Sequence, residues 1–149
     1  MARHIVPLSE YTYSNVYERW ANASLTTSGS TEVGVMGVGF IRKTVIDHII
    51  LSHDGLVSKS SDEELRLKAY KVPSGTKVSA VVGVATPIAT WLISSTTAGS
   101  SLASLASLTE AACTFEQGDR IVFSYQRTGT ANAAAGNLAV SWAGRHWPL

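Results

Sequence analysis

Cysteine is nearly missing from this chain of 149 residues: Cys113 is the only one. No intrachain disulfide is possible, which fits folding in a reducing cytoplasm. Its neighbours Ala111, Ala112 and Phe115 mark Cys113 as a small buried hydrophobe rather than a reactive thiol. Charge is also scarce, at 15% of residues and a net +1. So weak a field gathers neither nucleic acid nor anionic lipid, and neither is expected as a partner. Long apolar runs are absent. The longest nearly apolar stretch, Val81 to Ile93, is too short to span a bilayer and contains Pro87. The opening residues Met1 to Pro7 hold no apolar h-region, so no signal peptide is expected.

Motifs of reactive chemistry are missing as well. Gly37-Val38-Gly39-Phe40-Ile41-Arg42 lacks a third glycine, and no Lys-Ser/Thr follows it, so it is not read as a phosphate loop. No Gly-x-Ser-x-Gly elbow occurs. His48 and His53 lie an odd number of residues apart, so on one strand they face opposite ways and cannot share a metal. Asp62-Glu63-Glu64 lacks the alternation of a calcium loop and reads as a solvated turn. Asn22-Ala23-Ser24 is treated as a chance sequon. We therefore expect no enzyme, no catalytic residue, no cofactor and no metal.

What is present is turn chemistry and alternation. In Gln117-Gly118-Asp119 the glycine accepts positive φ and the aspartate hydrogen-bonds nearby backbone. Ile121, Phe123 and Tyr125 then take one face of a strand, and Arg120, Ser124 and Gln126 the other. The rest repeats this theme. Val33 to Arg42 is a glycine-bearing strand. Thr44 to His53 is apolar on both faces, with Val45, Ile49 and Leu51 on one and Ile46 and Ile50 on the other. Asp54-Gly55 turns the chain. Leu65, Leu67 and Ala69 alternate with Arg66, Lys68 and Tyr70, giving a strand with a basic outer face. After Pro73-Ser74-Gly75, Val78, Ala80, Val82 and Val84 read as another strand, and beyond Pro87 so do Ala89, Trp91 and Ile93. Leu102, Leu105 and Leu108 suit either a helical turn capped by Ser100 or an irregular loop. Leu138, Val140 and Trp142 form the last strand. Trp91 and Trp142 are assigned to the core.

The first residues differ. Residues 1–12 read as an extended arm. Tyr13, Val16, Tyr17 and Trp20 then fall at i, i+3, i+4 and i+7 behind a possible N-cap, Ser14, which predicts a two-turn helix with an aromatic stripe. The expected architecture is all-β: an antiparallel, jelly-roll-like β-sandwich over 33–149, with an extended or partly helical N-terminal arm over 1–32.

Leu65 to Trp142 resembles small β-sandwich structural proteins of tailed-bacteriophage particles. The residues carrying the likeness are Leu65 to Val72, the Pro-Ser-Gly turn and its valine strand, Phe115 to Phe123, and Leu138 to Trp142. The resemblance implies a virion-surface protein made in the host cytoplasm, either a capsid decoration (cement) protein or a component of a tail or fibre. It implies no catalysis. The partners would be its own copies, as a homotrimer, and the major capsid protein or another virion protein. The interface candidates are the anchors outside the regular strands: Tyr13, Tyr17, Trp20, Arg145 and Trp147. A carbohydrate- or receptor-binding module of a tail or fibre is the second expectation.

Overall fold

The computed structural model describes residues 13–20, 32–56, 64–94, 99–104, 109–128 and 138–146. Nine strands form among them: β1 (Tyr13–Trp20), β2 (Val33–Gly39), β3 (Thr44–His53), β4 (Glu64–Val72), β5 (Ala89–Ile93), β6 (Gly99–Ser104), β7 (Thr114–Phe115), β8 (Arg120–Thr128) and β9 (Leu138–His146). One sheet has the order β1-β9-β3-β6, with β7 pairing the start of β3. The other has the order β2-β8-β4-β5. All pairings are antiparallel. Taken along the chain, the long strands switch sheets at every step except β4 to β5, which is the wiring of a jelly roll.

Alternation fills the space between the sheets. Ile46, Ile49, Leu51, Val140 and Trp142 come from the first sheet, and Leu65, Leu67, Trp91, Ile93, Ile121, Phe123 and Tyr125 from the second. Phe123 and Trp142 stack across the gap with ring centroids 6.3 Å apart. Trp91, Trp142 and Cys113 are buried, as the sequence leads one to expect.

Several local expectations fail, each for a physical reason. Residues 13–20 are strand β1, not a helix, because β9 offers eight register partners from Tyr13↔Arg145 to Trp20↔Leu138. The first sheet thus includes a portion of the expected arm. Residues 99–104 are strand β6, paired with β3 from His53↔Gly99 to His48↔Ser104, rather than a capped helical turn or a loop. Leu105 and Leu108 lie outside the described residues. The valines after Pro73 do not make a strand. Val78–Ala80 is a single 3-10 turn, and Val81–Val84 turn on through Gly83 at φ 77°. This β4–β5 crossover lies over the outer face of the second sheet, where Val78, Val81 and Val82 pack on Tyr70, Val72 and Val122. Val122, on the outer face of β8, is therefore buried too, and so is Ser124 beside it on that face, which bonds Glu32.

In β3 a bulge resets the faces. The register against β9 slips between Ile46 and His48, leaving Asp47 as the extra residue. Ile46 thereby joins Ile49 and Leu51 in the core, a grouping that strict alternation misassigns. Val45 is buried on the other side, next to the helix α1 (Glu110–Cys113), which packs on β3.

At one end of the sandwich three connections are tied together. Asp119 accepts from the amides of Ser74 and Glu116, each at 3.0 Å. The Phe40 amide donates to the Asp119 carbonyl and the Gly118 amide to the Phe40 carbonyl. Gly118 is at φ 87°, a conformation that favours glycine, and a β carbon there would also lie 2.8 Å from Ser74 Oγ and force that side chain to shift. Burial pushes the Asp119 carboxyl up, but those two amides and the Lys71 ammonium outweigh it, and its pKa ends below the ordinary value. β1 starts and β9 ends at this tied end, while the connections at 21–32, 54–63, 94–98 and 129–137 join strands at the other.

Candidate functional site

Three of the interface candidates share one edge. β1 is an outer strand of its sheet, and its pairing puts Tyr13 opposite Arg145, Tyr17 opposite Ser141 and Trp20 opposite Leu138. Tyr13 and Arg145, 132 residues apart in sequence, are thus direct neighbours across the ladder. Tyr13, Tyr17 and Trp20 are placed here by their backbone register. Trp147 lies outside the described residues, as do residues 1–12.

Arg145 is held rather than free. Its Nη2 donates to Asp47 Oδ1 at 3.0 Å, and its Nε is buried without a partner among the described atoms. Asp47 reaches it because the bulge turns its side chain out of strict alternation. The bulge requires Gly144 on the facing strand, where a β carbon would stand 2.5 Å from the Val45 carbonyl oxygen. Beside this pair the outer face of the first sheet carries small and weakly polar side chains. His48 is exposed, Ile50 is 38% exposed, and Ser52, Ser141 and Ala143 are half-buried. Such a face costs little to dehydrate.

The histidines stay apart. The β3–β6 register runs without a slip from His48 to His53, so the two keep opposite sides. The His53 Nδ1 accepts from the Gly55 amide at 3.0 Å, and burial holds the His53 pKa below the usual imidazole value against the pull of Asp54. Burial, with the Asp47 charge added, pushes the Cys113 thiol up, away from a reactive thiolate. Among the described residues no group of three or more His, Cys, Asp or Glu could hold a metal ion. Asp62 and Glu63 lie outside them.

One polar cluster has no local signal in the sequence. Glu32, which precedes β2, lays its carboxylate on the outer face of the second sheet, with its side chain 6% exposed. Lys68 Nζ donates to it at 2.7 Å and the Ser124 hydroxyl donates too, with the Tyr70 phenol acting on it from the same sheet face. Lys68 also reaches Gln126 Oε1 at 3.3 Å. Burial raises the Glu32 pKa, but these donors overcome it and keep the carboxylate below its ordinary range. Burial, with the Glu32 bond and charge, pushes Tyr70 up to about 12. Partners 36 and 92 residues away make this cluster invisible to any local pattern.

No protein-family model matches the chain, and no curated protein matches it.

Proposed function

We propose that this protein is a structural protein of a tailed-phage virion, a decoration protein that seats on the outer capsid surface and stabilises it. One observation supports this above the others: the β1–β9 register puts Tyr13, Tyr17 and Arg145 at positions of one face along the edge of the sandwich, next to a sheet face poor in charge, while Trp20, three residues beyond Tyr17, takes a position of the opposite face. Aromatic and arginine anchors beside a weakly solvated face are what a protein-binding surface needs. The proposed partners are further copies of the chain, as a homotrimer, and the major capsid protein. The reaction-free role rests on the likeness of Leu65–Trp142 to phage β-sandwich proteins.

The test is binding of purified protein to empty capsids of the parent phage, together with sedimentation. Tyr17→Ala and Trp147→Ala should leave the far-UV circular dichroism unchanged and weaken capsid binding by at least about tenfold each, the size of a modest hot spot. A monomer that ignores capsids overturns the reading.

A second reading, a receptor- or carbohydrate-binding module of a tail or fibre, draws support from topology. Connections rich in Ser, Thr, Asn, Ala and Gly join strands at the end away from the start of β1 and the end of β9. A protein that fails on capsids but is retained on a glycan array favours it.

A further inference from the structure

The β4–β5 crossover, residues 73–88, is fastened firmly at its two ends and lightly in the middle. At its start the Ser74 amide bonds Asp119 and the Thr76 carbonyl accepts from Arg120. At its finish the Ile88 amide bonds the Ala69 carbonyl at 2.7 Å. Between these ties the segment makes its own short turns, Val81 to Val78, Val84 to Val81 and Ala85 to Val81. Ser79, Ala80, Gly83, Ala85 and Thr86 are exposed, and Val84 is 77% exposed. Two attachments to the sheet remain in the middle: the packing of Val78, Val81 and Val82 on Tyr70, Val72 and Val122, and a polar chain at Gly83. In that chain Gly83 lies beside the Glu32 carboxylate, a β carbon on it standing 3.9 Å from Oε2, and the Tyr70 phenol interacts with both. Lys68 and Ser124 hold the same carboxylate from the sheet side.

We propose that the Glu32 carboxylate is a latch: through Tyr70 it holds the middle of the crossover down, and its neutralisation lets residues 77–87 lift off the apolar strip of Tyr70, Val72 and Val122. A charged acceptor makes a stronger hydrogen bond than a neutral one, so the phenol is fixed best when Glu32 is ionised. Fixing the phenol fixes Gly83 beside it. Protonating Glu32 removes the charge that orients Tyr70, while Lys68 is left with Gln126 as its partner. The ionisable groups facing Glu32 are Lys68 and Tyr70 on β4, with Ser124 and Gln126 as neutral neighbours on β8. The crossover itself carries one charged residue, Lys77, near its firmly tied start. Because the folded Glu32 pKa lies below 4.5, the latch is closed at neutral pH and opens under acid. Light local tethering of this kind allows a segment to open without global unfolding.

The experiment is hydrogen–deuterium exchange of the full-length protein, read peptide by peptide at pH 7. The amides of Val81, Val82, Val84 and Ala85 are the reporters, since the turns that bond them are short and lose their packing on Tyr70, Val72 and Val122 once the crossover lifts. Glu32→Gln and Tyr70→Phe should each speed exchange over 77–87 by at least about tenfold, as losing one hydrogen bond to a charged group does, with β4 and β8 amides still protected. For the parent protein the same peptide should deprotect below about pH 4, corrected for intrinsic rate, and Glu32→Gln should abolish that pH dependence. Unchanged exchange over 77–87 in both variants overturns the latch. So does equal loss of protection across β4 and β8, which would make Glu32 a pillar of the whole sheet.

Discussion

Gly144 passes so near Val45 that the Val45 carbonyl oxygen lies 2.5 Å from where a β carbon on residue 144 would stand. This contact is the reverse side of the Asp47 bulge, which puts two residues of β3 against one of β9. Alanine at 144 would have to push backbone rather than a flexible side chain. Gly144→Ala should cost about 1–3 kcal/mol, the range for overfilling a packed site, by urea unfolding. It should also loosen the Arg145–Asp47 bridge, visible as a shifted Asp47 carboxyl resonance.

The core assignment separates two hydrophobic residues sharply. Phe123 is buried against Trp142, and Leu92 on β5 is 50% exposed. Phe123→Ala should lose about 3–5 kcal/mol by chemical denaturation. Leu92→Ala should stay within about 0.5 kcal/mol, the usual surface range.

Acid should destabilise the fold in a defined order. The folded pKa of His53 lies below 6.5, so the unfolded chain takes up that proton first and stability starts to fall below about pH 6.5. Glu32 and Asp119 are held below 4.5 and 3.8, so their contribution is complete above those values and is lost as pH falls through the folded pKa values. Melting temperature against pH should show a shallow step near 6 and a deeper fall below about 4. Asp119→Asn should remove some of the deeper fall.

Alkali acts through Tyr70. Its pKa is raised from 10.0 to about 12, so the protonated phenol favours the folded state. That stability is complete below pH 10 and disappears as pH climbs from there towards 12. Ultraviolet difference titration should find one tyrosine ionising late, and Tyr70→Phe should delete it.

Gly118-Asp119 and the strand it launches were legible because turn and alternation are both local: Gly118 is at positive φ, and Ile121, Phe123 and Tyr125 face inward. Tyr13 to Trp20 misled because aromatics at i, i+3, i+4 and i+7 mimic a helical stripe, whereas tyrosine, valine and tryptophan also favour strands. The deciding partner, β9, lies more than 100 residues away. The valines at 78–84 alternate as a strand would, yet they turn through Gly83 and cover a sheet face instead. Ile46 looked out of phase because a bulge at Asp47 depends on a distant glycine. Glu32 could not be foreseen at all, since its partners are drawn from distant segments.

The antiparallel pairing of β1 with β9 also decides how the sandwich responds to mechanical load. Tension applied between Tyr13 and Arg145, which face each other at the same end of their strands, pulls across the ladder. The hydrogen bonds then break in succession, from Tyr13↔Arg145 towards Trp20↔Leu138, instead of sharing the force in shear. Single-molecule stretching through these two points should show a low-force peeling event before the rest of the sandwich gives way.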